Sequence, residues 1–295
     1  MLLEGIETLL VLGQEKTMNR TGSILYISQS AVSKRITKLE KRLGKKLIEP
    51  DGRYVRLTAD AKALIESVGP TFSELCGQIY EQQVLENNTL LRMDCSETLV
   101  AGHFSSALTK CFQDDSNLTI TTNHTPRIVE NVKSGKAILG LCAGYLPPSH
   151  GLLTFHLFDE PFYIVSNLPL KSLPNTLITT DLSNGANTYQ SAILEKLNIQ
   201  PVMQLDSYTA AAQLSLQGTA PALVPLSIVR ALRIKEKYIH KYDELEPLFR
   251  PITICVRQNN YRLERIQKVV ATITDSATTK SLLLRAYRDA VHFNL

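Results

Sequence analysis

The sequence predicts an α/β protein, with an N-terminal α-helical winged helix-turn-helix followed by a larger, two-lobed α/β body. Three observations predict this. Apolar residues recur at helical spacing in the first 45 residues and are followed by a tight-turn signal between two short strand-like runs. From about residue 89, strand-like and helix-like segments alternate with short connections, the texture of sheets carrying helices on their faces. Charge divides the same way. Residues 1–65 hold 12 Lys+Arg against 7 Asp+Glu, a net of +5, while the remaining 230 hold 20 against 21. A basic head on a near-neutral body is the electrostatic footprint of phosphate binding by the head alone.

Within the head, Ile6, Leu9, Leu10 and Leu12 begin a first helix, and Ile24, Leu25 and Ile27 supply a second core stripe. Ser28 then caps a third helix over Ile27–Leu43, whose Val32, Ile36, Leu39 and Leu43 recur at spacings of four, three and four. The opposite face of that helix is cationic, with Lys34, Lys38 and Lys41 flanked by Arg35 and Arg42. Gln29, Ser30 and Ser33 sit at its N-terminal end, where a recognition helix meets base edges in a major groove. A solvated surface helix would carry a similar charged face, but the helix before it and the strands after it favour a DNA-reading role. Asp51-Gly52-Arg53 turns the chain between Leu47-Ile48 and Tyr54–Leu57, so a two-stranded wing presents Arg53 and Arg56 to phosphate. The candidate DNA contacts are therefore Gln29, Ser30, Ser33, Lys34, Arg35, Lys38, Arg53 and Arg56.

These residues carry a family resemblance. Ile27-Ser-Gln-Ser-Ala-Val-Ser33, Lys38-Leu-Glu40, Leu43-Gly44, Gly52-Arg53 and Leu57-Thr58, in this order and spacing, resemble the winged helix-turn-helix of the LysR-type transcriptional regulators. The resemblance is close over residues 3–66. It implies a bacterial, homodimeric or homotetrameric regulator whose partners are double-stranded promoter DNA, a small-molecule effector and, if it activates, RNA polymerase. There are departures. Thr21-Gly22 stands where the family usually has two alanines, Leu47-Ile48-Glu49-Pro50 replaces a Leu-Phe-x-Arg run, and Ala61 replaces a glycine. The Arg of that run is missing, with Pro50 in its place and the acid Glu49 beside it, which should trim affinity without touching base readout.

After Thr58 a helix of different character is expected. Ile65, Val68, Phe72, Leu75, Ile79 and Gln82 alternate spacings of three and four, a heptad seam that needs a partner helix. Two copies of residues 59–88 would then pair and hold two recognition helices at a fixed separation. Gly69-Pro70 falls inside the seam and predicts a kink or break, because Pro lacks a donor and clashes with the preceding turn. The polar Glu86-Asn87-Asn88-Thr89 ends the linker.

In the body, Leu90–Cys95, Leu118–Thr122 and Ile138–Cys142 read as strands, with helices at Thr98–Phe112 and Arg127–Lys133. A second series follows: apolar Pro161–Val165, strands at Leu177–Thr179, Val202–Leu205, Ala222–Pro225 and Ile252–Arg257, and helices at Tyr189–Leu197, Thr209–Leu216, Leu263–Thr274 and Thr279–Val291. Alternation of this kind argues for parallel sheet. The expected organisation is a DNA-binding domain at 1–58, a linker helix at 59–88 and an effector domain at 89–295. The family's effector domain is built like a periplasmic binding protein, which implies lobe I at about 89–162 plus 263–295 and lobe II at about 163–262. The crossings would then lie near Pro161 and near Asn259–Tyr261.

Ligands of open α/β sheets gather at the carboxyl ends of strands. Ser96 and Thr98 lie at one strand-to-helix junction, His124 and Thr125 at the next, and Ser207 at a junction of the other lobe, so these five are the candidate effector contacts. Ser96 and Thr125 would equally well serve as helix caps. The resemblance implies a small organic acid, carried over only to Ser96, Thr98 and Thr125. Glu97 would repel such an anion unless it points away or the effector brings an amino or hydroxyl donor.

No GxSxG, P-loop, GxGxxG or HExxH stretch appears, which argues against an enzyme and against a bound cofactor. The six histidines and five scattered cysteines form no metal-ligand spacing, so no metal is expected. Cysteines used in this way suit a reducing cytoplasm, and no run approaches the roughly 18 apolar residues of a spanning helix; a cytoplasmic protein without a membrane partner is expected. The alternative function is a thiol redox-sensing regulator using Cys95 or Cys142.

Overall fold

The computed structural model describes residues 2–52, 54–81, 89–148 and 150–291. Contacts divide it into two units, Met1–Tyr80 and Glu81–Leu295.

In the first unit α1 (Leu2–Glu15), α2 (Met18–Leu25) and α3 (Gln29–Leu43) precede a hairpin of β1 (Ile48–Asp51) and β2 (Tyr54–Leu57), and α4 (Ala59–Glu81) follows. Each helix starts and stops for a local reason. The Thr17 hydroxyl accepts from Arg20 N and the Ser28 hydroxyl from Ala31 N, at 3.4 and 3.2 Å, while α3 ends on Gly44 at φ +65°. Thr58 caps α4 through Ala61 N. Leu9, Leu12, Ile36, Leu39, Leu47 and Ala61 form the core, with Val32 buried beside them. Two expectations need correction. Leu43 is exposed, as the last turn of α3 has run past the core, and Glu40 is buried in its place, its carboxylate accepting from Leu47 N at 2.9 Å and Ile48 N at 3.4 Å. In α2, Ile24 is exposed and Thr21 and Gly22 face inward. A Cβ on Gly22 would stand 2.6 Å from the Ile27 carbonyl oxygen, so the Gly lets the two helices of the motif approach closely.

Helix α4 runs unbroken through Gly69-Pro70, so the expected break is absent. Leu75 and Ile79 of the seam are exposed in the single chain. Gln82, the last position of the seam, and Glu86-Asn87-Asn88, expected with Thr89 to end the linker, lie outside the described residues.

The second unit contains β3 (Leu91–Cys95), α5 (Glu97–Leu99), a π-helical turn (Val100–Phe104), α6 (Ser105–Asp114), β4 (Leu118–Thr122), α7 (Thr125–Lys133) and β5 (Leu139–Ala143). The chain continues through β6 (Leu153–Val165), β7 (Thr176–Thr180), α8 (Thr188–Lys196), β8 (Gln200–Leu205), α9 (Tyr208–Leu216), β9 (Ala222–Pro225) and α10 (Leu226–Ala231). After β10 (Ile239–His240) and β11 (Phe249–Val256) it ends in α11 (Glu264–Val291). The strands follow the order β4-β3-β5-β11-β6-β9-β7-β8, with β10 also on β6.

The sheet is mixed, where parallel pairing alone was expected. β3 lies parallel to β4 and β5, and β7 lies parallel to β8 and β9, but β11 and β6 run antiparallel to their neighbours. The long β6 is responsible. Its Leu153–Pro161 stretch pairs with β11 and its Phe162–Val165 stretch with β9, so one strand carries the chain from the first lobe into the second near Pro161. For the return, β11 is already hydrogen-bonded to β5 and to the first part of β6, which puts the crossing before Phe249 and not at Asn259–Tyr261. The two C-terminal helices anticipated are one, since Asp275–Thr278 contains neither Gly nor Pro to break it.

Candidate functional sites: a basic helix face and an interlobe polar cluster

On the first unit, Gln29, Ser30, Ser33, Lys34 and Lys38 are all exposed on α3, opposite the buried Val32, Ile36 and Leu39. Ser30 Oγ lies 2.9 Å from the capping Ser28 Oγ, which steadies the first turn. Arg35 departs from this face: it is half-buried and ion-paired to Glu4 at 3.5 Å. On the wing, Glu49 and Arg56 are cross-strand partners, and Arg56 Nη2 and Nε donate to Glu49 Oε2 at 2.6 and 3.2 Å. The acid noted in the sequence is therefore spent on the wing's own arginine. Arg53 lies outside the described residues. A cavity of about 640 Å³ between α3 and the wing is lined by residues that include Gln29, Thr37, Glu49 and Tyr54.

In the second unit the candidate effector residues divide. Ser96 Oγ and Thr98 Oγ1 are 3.2 Å apart at the end of β3. His124 and Ser207 are exposed, and His124 Nε2 of the first lobe reaches Asp206 Oδ1 of the second at 3.4 Å. Ser207 caps α9 through Ala210 N. Thr125 is buried, and its hydroxyl both donates to Ala143 O at 2.8 Å and accepts from Ala143 N at 3.0 Å, so it pins α7 to β5. The organic-acid expectation for Thr125 meets a hydroxyl already committed.

Sequence reasoning missed the polar cluster on which Thr98 rests. Glu160, in the part of β6 next to the crossing, is wholly buried. Its Oε2 accepts from Arg250 Nε at 2.5 Å, and its Oε1 from the Ser227 backbone N–H at 2.5 Å and from His103 Nε2 at 2.7 Å. Burial works to raise its carboxyl pKa, but the Arg250 guanidinium and the His103 hydrogen bond outweigh burial and hold it down at about 2. Arg250 Nη2 donates to Thr98 Oγ1 at 2.8 Å and Ser227 Oγ at 3.0 Å, and its guanidinium lies over the Tyr208 ring. Arg230 Nη1 donates to His103 Nδ1 at 3.2 Å, which leaves Nε2 to carry the ring proton towards Glu160. The π-helical turn delivers His103, as such turns often do at functional positions. Burial also pushes the Tyr208 phenol up, despite Arg250 nearby.

This cluster ties the lobes together. A Cβ on Gly102 would collide with the Ser227 backbone, and one on Gly144, at φ +98°, would meet the Ala186 carbonyl oxygen at 2.5 Å. Glycine is needed at both places for the lobes to meet. The signal in the sequence was a charge beside a proline inside an otherwise apolar run, as in Glu160-Pro161-Phe162 and Arg250-Pro251-Ile252.

The two candidate sensor thiols, Cys95 and Cys142, are poorly placed for reactivity. Cys95, Cys142 and Cys255 are fully buried, with Cys142 Sγ 3.7 Å from Cys255 Sγ. The contact with Cys255 and burial hold the Cys142 thiol well above its ordinary range, and burial does the same to Cys95. Among the described residues no group of three or more His, Cys, Asp or Glu is arranged to hold a metal, and no helix is long and apolar enough to cross a membrane.

Two family models match the chain: the bacterial regulatory helix-turn-helix protein of the lysR family over residues 3–62, and the LysR substrate binding domain over residues 86–278. An uncharacterized HTH-type transcriptional regulator of Vibrio cholerae serotype O1 is 63% identical over 96% of this chain and 99% of its own length. The regulator PcaQ of Agrobacterium fabrum is 25% identical over 57% of this chain and 56% of its own. Among solved structures, full-length OxyR from Pseudomonas aeruginosa superposes with a TM-score of 0.57 at 19% identity, covering 94% of each chain. CbnR, a LysR family transcriptional regulator, does so with a TM-score of 0.54 at 17% identity, over 94% of this chain and 99% of its own. At these identities the structural likenesses speak to fold alone.

Proposed function

The chain belongs to the LysR family of bacterial transcriptional regulators, and from that premise we propose that α3 reads promoter DNA while a small molecule taken up between the lobes modulates binding or activation. The observation that carries the DNA reading is the division of α3 into an apolar buried face and an exposed face bearing Gln29, Ser30, Ser33, Lys34 and Lys38. The short polar side chains at the N-terminal end meet base edges. The lysines meet phosphate, the wing's Arg56 reaches it only by giving up its pairing with Glu49, and Arg53 is assigned to phosphate on the sequence alone. Arg35, tied to Glu4, contributes charge at the margin. Homodimers, and tetramers built from them, assemble through α4, whose exposed Leu75 and Ile79 continue the heptad seam. RNA polymerase is a further partner if the protein activates.

The effector enters at the mouth formed by His124 and Ser207 and meets the Ser96 and Thr98 hydroxyls. Thr98 passes its state to Arg250 and thence to Glu160, Ser227 and His103, groups drawn from both lobes. A ligand that takes Thr98 as a partner therefore changes what holds the lobes together, which is the differential interaction that a ligand-driven shift requires. The effector class implied by the family resemblance is a small organic acid. With Glu160 already matched to Arg250, an acid bearing an amino or hydroxyl donor fits better than a bare carboxylate. Gln190 Oε1, buried beside Tyr208 and without a hydrogen-bond partner among the described residues, would accept that donor.

The test separates the two halves. Gln29→Ala should relax discrimination between operator and random DNA by about 1–3 kcal/mol per lost base contact, whereas Lys38→Ala should weaken all DNA alike and flatten the salt dependence. Unchanged discrimination in Gln29→Ala would mean that α3 is docked wrongly. Ser96→Ala should blunt the effector response and spare operator binding. The 3.7 Å separation of Cys142 and Cys255 is the one observation favouring a thiol sensor. Burial opposes it, and operator binding should withstand mild peroxide.

A further inference from the structure

Tyr26 sits in the turn between α2 and α3 in the left-handed conformation, at φ 53° and ψ 39°, and is 95% exposed. The turn itself has a plain cause. Tyr26 N–H and Ile27 N–H both donate to Gly22 O, the latter at 2.9 Å, and this closes α2 and reverses the chain towards Ser28. Left-handed positions favour Gly and Asn, and an L residue with a bulky side chain is uncommon there. A tyrosine can be favoured at such a position when its ring is buried, but here the ring lies in water. The residue is thus poor for the turn and contributes nothing to the core.

We propose that Tyr26 is a DNA-backbone contact, its phenol donating to a phosphate oxygen beside the groove that α3 enters. The inference rests on the docking of α3 proposed above. It follows from position: Tyr26 lies two residues before the Ser28 cap and three before the exposed Gln29, so it flanks the end of α3 that faces the bases. Phosphates line both edges of a major groove, and tyrosine hydroxyls are among their ordinary donors. A neutral donor of this kind fixes orientation without releasing a counterion.

The experiment uses the full-length chain, operator DNA, random DNA of equal length and a salt series, with Y26F and Y26N. Y26F keeps the ring and the backbone cost and removes only the hydroxyl. It should bind operator and random DNA more weakly by the same factor, roughly three- to tenfold, with an unchanged salt slope. Y26N suits the left-handed turn, so its Tm should equal or exceed that of the wild type while its DNA affinity falls. Wild-type affinity in either variant overturns the proposal, as does a loss confined to operator DNA, which would make Tyr26 a base reader. The Gln29→Ala measurement keeps the two readings apart. If Gln29→Ala relaxes specificity and Y26F changes nothing, the docking stands and the Tyr26 contact alone is wrong.

Discussion

Arg250→Met removes the guanidinium from Glu160 while filling much of the same volume. Both side chains are buried, Arg250 being only 3% exposed. The variant would leave the carboxylate with two of its three donors, the Ser227 N–H and His103. Stripping the partner from a buried charge costs about 3–5 kcal/mol. The carboxyl itself supplies a second estimate. Held at about 2 against an ordinary 4.5, it contributes on the order of 3 kcal/mol to folding. The pKa is depressed in the folded state, so this stability is present above pH 4.5 and is lost as pH falls from 4.5 to about 2. In the variant burial dominates and raises the carboxyl, so the penalty for keeping it charged is greatest near neutral pH and is relieved on acidification. Unfolding followed by calorimetry at pH 7 should show a Tm lowered by roughly 6–20 °C for a unit of this size, with the deficit narrowing towards pH 4. The double variant Glu160→Leu/Arg250→Met should recover part of the loss, the remainder being the unpaired Ser227 N–H and His103. A single variant within about 1 kcal/mol of wild type at pH 7, or a deficit independent of pH, would refute the reasoning.

Glu49→Gln should free Arg56 on the wing, tightening binding to all DNA and steepening the salt dependence by about one counterion; titration of operator and random DNA across salt concentrations checks it. Gly22→Ala would bring a Cβ to 2.6 Å from the Ile27 carbonyl oxygen, a backbone atom that yields only if α2 shifts against the turn. Overpacking outweighs the gain in helix propensity, and denaturant titration should show a net loss of about 1 kcal/mol.

Much of the head was legible because its determinants are local. Capping by Ser28, the spacing of Val32, Ile36 and Leu39, and the Asp51-Gly52 turn each act within a few residues. The errors there came from geometry that no short window contains. Leu43 continues the apolar spacing but overshoots the core, and Pro70 is accommodated within a helix it would break in isolation. In the body, elements bounded by turn signals were found nearly to the residue, as with Leu118–Thr122 and Ala222–Pro225. β6 was only half seen, because its Leu153–Glu160 stretch is interrupted by His156, Asp159 and Glu160 and so offers no apolar run like that of Phe162–Val165. The effector candidates were chosen from strand-to-helix junctions. That rule picked out Ser96 and Thr98, whose hydroxyls lie 3.2 Å apart, but could not foresee that Thr125 is committed to Ala143. Nor could it find Glu160 and Arg250, which are 90 residues apart and meet only because β6 and β11 pair in antiparallel register.

The most direct measurement is binding of the purified protein to the promoter-proximal DNA beside its own gene, titrated with salt and challenged with random competitor. Tight, competitor-resistant binding over an interrupted dyad is the predicted result, since the proposed dimer through α4 would set two copies of α3 on successive major grooves. Binding that is weak, indifferent to sequence and abolished by modest salt would contradict sequence reading by α3 and reduce the head to an electrostatic anchor.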